Sequence, residues 1–276
     1  MIITIDTGGT KTLIETFDEA GAKSIITKFP TPRDTSEYIA ALRNTLSSIL
    51  DQQSVEAISI AVPGVVHNGI AVRCRNLGWE DFDIISQLYD ALGGRVSIDN
   101  ILLENDAQLA CIGETRLLDN TPNLSIYVTA STGVGTGISI NGKMIPGLQR
   151  FEGGQVFVEY HGEIQRWETI ASGKTFYEMH GRFGSDINES EESIWQDFAD
   201  RLSRGLMILL PTYMPDTLII GGSMGTHYPK YARQLETILR QNIPSYLDRT
   251  KLVQAQNPEE AVIYGCYYHA IDSIAR

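Results

Sequence analysis

Residues 1–11 read Met1-Ile2-Ile3-Thr4-Ile5-Asp6-Thr7-Gly8-Gly9-Thr10-Lys11, or MIITIDTGGTK. An apolar run of strand character enters an acid, two adjacent glycines and a group of hydroxyl and amine side chains. The glycines serve a hairpin turn. They equally let backbone amides approach an anion that bulkier residues would hold away. Thr7 and Thr10 offer hydroxyl donors and Lys11 a cation. Asp6, which would repel phosphate directly, makes sense beside a magnesium ion or its water shell. The pattern is neither G-x-x-x-x-G-K-[ST] nor G-x-G-x-x-G. Taken alone, the stretch leaves turn and phosphate cradle both open.

Outward from it, Ile2–Ile5, Thr12–Phe17 and Lys23–Phe29 read as strands, with Asp18–Gly21 as a short connection. Asp34 caps a helix whose apolar face is Tyr38, Ile39, Leu42, Leu46 and Ile49, with Glu37 at the capping-box position. Val55–Val62 is a buried strand ending at Pro63-Gly64. A helix over Asp81–Leu92, a strand over Arg95–Ile98 and a helix over Asn105–Leu117 follow. Leu124–Ala130, the turn Ser131–Gly135 and strand Thr136–Ile140 then repeat the layout of the first residues. That weak duplication suggests two related halves, each presenting a glycine turn to a shared cleft. Gly147–Trp167 reads as irregular. Helices near Ser172–His180 and Glu191–Leu210, a strand Thr217–Ile220, a helix Tyr228–Arg240, a strand Lys251–Val253 and a helix Glu259–Ile274 complete the chain. The alternation predicts an α/β fold of two domains, residues 1–115 and 116–276, with the final helix packing back on the first.

With 276 residues, 42% hydrophobic and 20% charged, the chain has ample material for a core. A net charge of −12 argues against a nucleic-acid binder, which would normally show a basic stripe. It leaves room for a small anionic ligand held by local donors. Cys74, Cys111 and Cys266 have no metal or redox spacing, which points to reduced thiols in a cytoplasmic protein. No leader precedes Ile2, and Leu206–Ile220 is too short and too interrupted by Pro211 and Pro215 to span a bilayer. No membrane partner is expected.

Ser131-Thr132-Gly133-Val134-Gly135-Thr136-Gly137 repeats the small-hydroxyl and glycine chemistry of the first turn. Two such turns after apolar strands suit one ligand with several phosphates. Gly221-Gly222-Ser223 adds bare backbone for a nucleoside, or simply tight strand–helix packing. Glu104-Asn105-Asp106 begins a helix, either as a cap or as the seat of a base that takes a proton from an attacking hydroxyl.

These motifs occur, with Asn76-Leu77-Gly78-Trp79, in an order that resembles the ROK family of bacterial sugar kinases and sugar-responsive repressors. The resemblance runs from residue 2 to Ala261 or beyond. It implies an actin-like, ribonuclease-H-like fold around a deep cleft, with ATP, magnesium and sugar as ligands. Asp106 matches the family's general base. Gly64, Asn76, Asn105, Glu152, Gln155 and Glu168 match sugar positions. Gly8, Gly9, Thr10 and Lys11 match the first phosphate segment, Thr132, Gly133 and Gly135 the second, and Gly221 and Gly222 the nucleoside side; Asp6 falls on the magnesium side. Transfer of the γ-phosphoryl group to a hydroxyl of a hexose or N-acylhexosamine, the 6-hydroxyl above all, is the implied reaction, and a homodimer the implied assembly.

The departures are equally specific. Gln155 stands where the family has a histidine, and the stretch Val156–Arg166 lacks the cysteines of the family's zinc loop. Structural zinc is therefore expected to be absent, and His161 alone is no metal site. The other histidines, His227 among them, read as structural or solvent-facing. The rival readings are a non-catalytic sugar-binding regulator and another phosphotransferase on the same fold. The regulator is disfavoured because the phosphate segment begins at residue 2, ahead of which the repressors carry a DNA-binding module.

Overall fold

The computed structural model describes residues 1–245 and 249–275. It divides into two compact units: Met1–Gly113 with Lys143–Arg150 and Glu260–Arg276, and Glu114–Gly142 with Phe151–Glu259.

The first unit is built on a five-stranded sheet. β1 (Ile2–Thr7), β2 (Lys11–Phe17) and β3 (Lys23–Pro30) pair antiparallel in sequence order. α1 (Thr35–Leu50) then carries the chain to β4 (Ala57–Val62), parallel to β1. β5 (Val65–His67), β6 (Ile70–Cys74) and β7 (Trp79–Phe82) form a separate small sheet. After α2 (Ile84–Ala91), β8 (Ile101–Asn105) lies parallel to β4 and runs directly into α3 (Asp106–Leu117). The strand order is β3-β2-β1-β4-β8.

The local chemistry explains these elements. The Asp34 carboxylate accepts the Glu37 N–H at 3.0 Å, satisfying one of the open amides of the first turn. The predicted apolar face of α1 is buried in full, against Ile3, Ile5, Ile58 and Ile60 of β1 and β4. Each side chain so buried stabilises the unit by about 1.5–3 kcal/mol. The indole of Trp79 is buried too; it donates to the Arg33 carbonyl at 2.8 Å and packs on Tyr38 and Phe82.

In the second unit β9 (Leu124–Ala130) and β10 (Val134–Ile140) form an antiparallel pair. β11 (Phe157–Tyr160) and β12 (Glu163–Arg166) form a small hairpin, followed by α4 (Glu168–Ala171), α5 (Gly173–His180) and α6 (Glu192–Tyr213). β13 (Thr217–Gly221) leads straight into α7 (Gly222–Gly225), and α8 (Ala232–Asn242) precedes β14 (Lys251–Gln254). The order is β10-β9-β13-β14, with β13 parallel to both neighbours. This is β2-β1-β4-β8 over again, so the duplication read from the two glycine turns extends to the sheets. Phe176, Trp195, Phe198 and Tyr231 stack into an aromatic core. Tyr160 anchors the hairpin: its hydroxyl donates to Asp197 at 3.1 Å, and Arg201 and Arg204 lie over its ring.

α9 (Ala261–Ile274) returns to the first unit, where Ala270, Tyr267 and Ile271 cover Ile2 and Ala57. α3 and α9 cross closely. A Cβ on Gly265 would come within 1.9 Å of the Leu109 carbonyl oxygen, and one on Gly113 within 2.2 Å of the Ala261 carbonyl oxygen. Among the described residues no helix is long and apolar enough to cross a membrane.

Four expectations need correction. No strand forms at 95–98; the strand lies at 101–105, beyond a 3₁₀ turn whose Asn100 donates to the Glu56 carbonyl at 2.8 Å. The helix expected from Asp81 begins at Ile84, because Asp83 caps it by accepting the Ser86 N–H, and 79–82 is strand. The stretch 147–167 contains the β11–β12 hairpin. α6 continues through Pro211 to Tyr213.

Candidate functional site

In the first unit the residues of interest meet where β1, β6 and β8 end. β1 and β2 pair up to Thr7 and Thr12, leaving residues 8–10 as the connection. Gly8 donates its N–H to the Lys11 carbonyl at 2.9 Å. The N–H groups of Gly9 and Thr10 meet no partner among the described residues, and the Lys11 N–H does not close the turn onto Gly8. Neither glycine has a positive φ. A Cβ on Gly9 would approach nothing nearer than the Cβ of Asn76, at 3.6 Å. The protein itself therefore has no steric need for glycine at position 9. Bare backbone beside free amides is what a phosphate oxygen requires. Thr7, however, is not a ligand donor: it is buried, with its hydroxyl 2.7 Å from that of Tyr38.

Asp6 and Asp106 lie close together at this end of the unit. Burial, and then repulsion from Asp106, push the Asp6 carboxyl up to about 7, against a lowering pull from Lys11. Burial pushes Asp106 up to about 6 and its neighbour Glu104 up to about 7. Asp6 and Asp106 retain partial solvent exposure, and neither has an ion-pair partner among the described residues. A pair of crowded, half-open carboxylates can accept a proton or face a hard cation.

The capping question at α3 has a divided answer. Asn105 does the capping, its Oδ1 accepting the Gln108 N–H at 3.1 Å, while its Nδ2 donates to the Gly64 carbonyl at 2.8 Å. Asp106, the first helical residue, accepts from the N–H of its neighbour Ala107 at 2.8 Å. Gly64 is required where it is: its φ is +146° and a Cβ would sit 2.2 Å from the Arg73 carbonyl oxygen. Gly64, Asn76, Asn105 and Asp106 thus share one region of the first unit with the 8–11 turn.

The second unit gathers the remaining candidates. Ser131 organises its glycine turn. Its N–H donates to the Gly133 carbonyl, its carbonyl accepts from Lys174 at 3.0 Å, and its Oγ accepts the Ser223 N–H at 2.9 Å. Glu168 stands directly over the turn, with Oε2 2.9 Å from where a Cβ on Gly133 would be. Gly154 packs so tightly on the Val134 carbonyl, 1.8 Å from its Cβ position, that Glu152 and Gln155 are held beside the start of β10. A cavity of about 510 Å³ is lined by Ser131, Gly173, Phe183, Gly222, Ser223 and His227 among others. Gly222, with φ +75°, reaches this cavity. Gly221 is buried against the Tyr127 hydroxyl instead, as tight strand–helix packing would have it.

Sequence reading missed Phe183, Gly173 and His227 as cavity residues, and Thr31 and Tyr38 beneath the first turn. His227, which burial and Lys230 shift towards its neutral form, carries no local spacing signal. Phe183 follows the αL residue Gly181 that ends α5, and its 62% exposure is the feature that marks it.

Comparison with known proteins gives the family and supports the fold. The model of the ROK family matches residues 2–272. An N-acetylmannosamine kinase of Yersinia pestis (strain Pestoides F) is 28% identical over 254 residues, covering 81% of this chain and 83% of the relative. A ROK family glucokinase from Streptomyces griseus, solved in complex with glucose and AMPPNP, superposes with a TM-score of 0.78 at 22% identity, covering 98% of this chain and 99% of that one. A ROK family transcriptional regulator, homologous to the Mlc protein of E. coli, superposes with a TM-score of 0.81 at 18% identity, covering 99% and 80%. Both structural likenesses speak to the fold.

Proposed function

The chain belongs to the ROK family, and from that premise we propose that it is a sugar kinase that transfers the γ-phosphoryl group of ATP to a hydroxyl, the 6-hydroxyl, of a hexose or N-acylhexosamine. The observation that carries this reading is the pairing, within one unit, of free amides at Gly9 and Thr10 with the carboxylates of Asp6 and Asp106. A regulator that only senses sugar has no use for a phosphate cradle beside a base.

Asp106 takes the proton of the attacking hydroxyl. With its carboxyl near 6 it is mostly ionised at pH 7.5, yet more basic than an ordinary aspartate, the compromise general-base catalysis favours. The amides of residues 9–11 and the Lys11 ammonium hold phosphate oxygens, so that most of the rate comes from positioning and charge stabilisation. Thr132, Gly133 and Gly135 hold the remaining phosphate oxygens. The cavity at Ser131 and Gly222 takes the nucleoside.

Magnesium fits the donors present: Asp6 and Asp106 offer carboxylate oxygens in mutual repulsion with no ion-pair partner among the described residues, and this ion is normally held by one or two carboxylates together with water and phosphate. Asp6 would hold it through water, and it would neutralise triphosphate charge. Asn76, Asn105, Glu152, Gln155 and Glu168 supply the donors and acceptors that a polyol needs. The amide of Gln155 both donates and accepts, so it keeps a sugar contact where relatives have histidine.

The test is ADP release with magnesium-ATP across hexoses and N-acylhexosamines, with product mapping of the phosphorylated hydroxyl. Turnover on a hexose or N-acylhexosamine is expected. Sugar binding without turnover would instead favour the regulator, and turnover with acetate alone another phosphotransferase.

A further inference from the structure

The turn between β1 and β2 is held open from outside. In a closed hairpin turn the N–H of the fourth residue returns to the carbonyl of the first. Here the Gly8 N–H does reach the Lys11 carbonyl, but the Gly8 carbonyl accepts from the Thr31 hydroxyl, at 2.9 Å. Thr31 also gives its own N–H to the Thr10 carbonyl, at 3.1 Å. One residue beyond β3 therefore holds two carbonyls of the turn.

The consequence follows from peptide geometry. A trans peptide sets its N–H opposite its carbonyl. Drawing the Gly8 carbonyl towards Thr31 turns the Gly9 N–H away from it, and drawing the Thr10 carbonyl inward does the same for the Lys11 N–H. The protons can be ordered as well. Thr31 spends its hydroxyl proton on Gly8, so across the 3.0 Å contact between the Thr12 and Thr31 hydroxyls, Thr12 is the donor. Thr12 and Thr31 are both buried, so water does not compete for this relay.

We infer that Thr31 is a positioning residue of the phosphate turn, aiming the amides of Gly9 and Lys11 at the nucleotide's phosphates through the Gly8 and Thr10 carbonyls. This rests on the reading that residues 8–11 bind phosphate. Thr31 acts on the turn and does not touch the nucleotide.

The experiment compares wild type with Thr31→Val, which keeps the shape and loses the hydroxyl, and Thr31→Ser, which keeps the hydroxyl. Magnesium-ATP and adenosine are titrated calorimetrically, with KM for sugar measured alongside and circular dichroism confirming the fold. Thr31→Val should weaken magnesium-ATP about tenfold, the scale of one misdirected set of hydrogen bonds. Adenosine affinity and the KM for sugar should stay within about twofold, and Thr31→Ser should bind ATP within about twofold of wild type. Unchanged ATP affinity in Thr31→Val overturns the inference. So does an equal loss of ATP and adenosine, a failure of serine to rescue, or a valine variant that does not fold, since each makes Thr31 a residue of general structure. A wild type that binds ATP no better than adenosine would instead bring down the phosphate reading itself, before any variant is considered.

Discussion

Replacing Asp106 with Asn should make the ligand-free protein more stable while removing its activity. The Asp106 carboxyl sits at about 6 in the folded chain against an ordinary 3.8, with burial as the cause. The folded state therefore binds this proton more tightly than the unfolded chain. Its contribution is fully present below pH 3.8 and is lost as the pH rises through about 6. About two pKa units correspond to about 3 kcal/mol of cost at pH 8, an upper bound because water reaches part of the group. Asparagine keeps the oxygen that accepts from Ala107 and carries no charge to desolvate. It also relieves Asp6, whose own rise owes its second-largest part to Asp106. Urea denaturation from pH 4 to 8 is the assay. The variant should exceed wild type by up to about 3 kcal/mol at pH 8 and converge with it near pH 4, while turnover falls by about 10²–10⁴. Both curves should still decline above pH 5, since Glu104 and Asp6 remain. A variant no more stable than wild type at pH 8, or a gain independent of pH, would refute the reasoning.

Gly9→Ala should fold with unchanged thermal stability, since its φ and surroundings accept a Cβ, and should lose about tenfold or more in ATP affinity by calorimetry. Gly64→Ala should lower stability by more than about 3 kcal/mol in urea, as strained φ and a backbone collision combine. Tyr160→Phe should cost about 1 kcal/mol and Tyr160→Ala about 3–5 kcal/mol, the difference being ring burial and two cation–π contacts. Elemental analysis should find no stoichiometric zinc, and chelators should leave the melting temperature unmoved, because residues 156–166 hold no cysteine thiolate.

Most of the fold was legible because its signals are local. The apolar spacing of α1, the cap at Asp34 and the two apolar strands with glycine turns each declare themselves within a dozen residues. What escaped notice depended on pairing. β8 is a short parallel strand against β4, and neither alternation nor a turn marks it, whereas Arg95–Ile98 has an alternating pattern and no partner strand. β5 and β6 were detectable. Asn68-Gly69, with φ of +51° and +75°, is a strong hairpin signal between two short strands. At the candidate site, glycines, asparagines and acids stand out in the sequence because few other residues offer their backbone freedom or charge. Thr31 and Phe183 carry no such signal: Thr31 bonds to Gly8 and Thr10 across the fold, and Phe183 lines a cavity assembled from residues distant in sequence.

The nesting of the two units has a consequence for how the chain is made. Residues 114–142 and 151–259 complete the second unit before α9 exists, while the first unit waits for Glu260 onward to cover Ile2 and Ala57. During synthesis, at about 5–20 residues per second, the unit that begins first is the one that finishes last. The oldest strand in the protein, β1, remains uncovered on one face through most of translation. It is also the strand that carries Asp6 and leads into the 8–11 turn, so the nascent chain assembles the cavity at Ser131 and Gly222 before it secures the strand that holds Asp6.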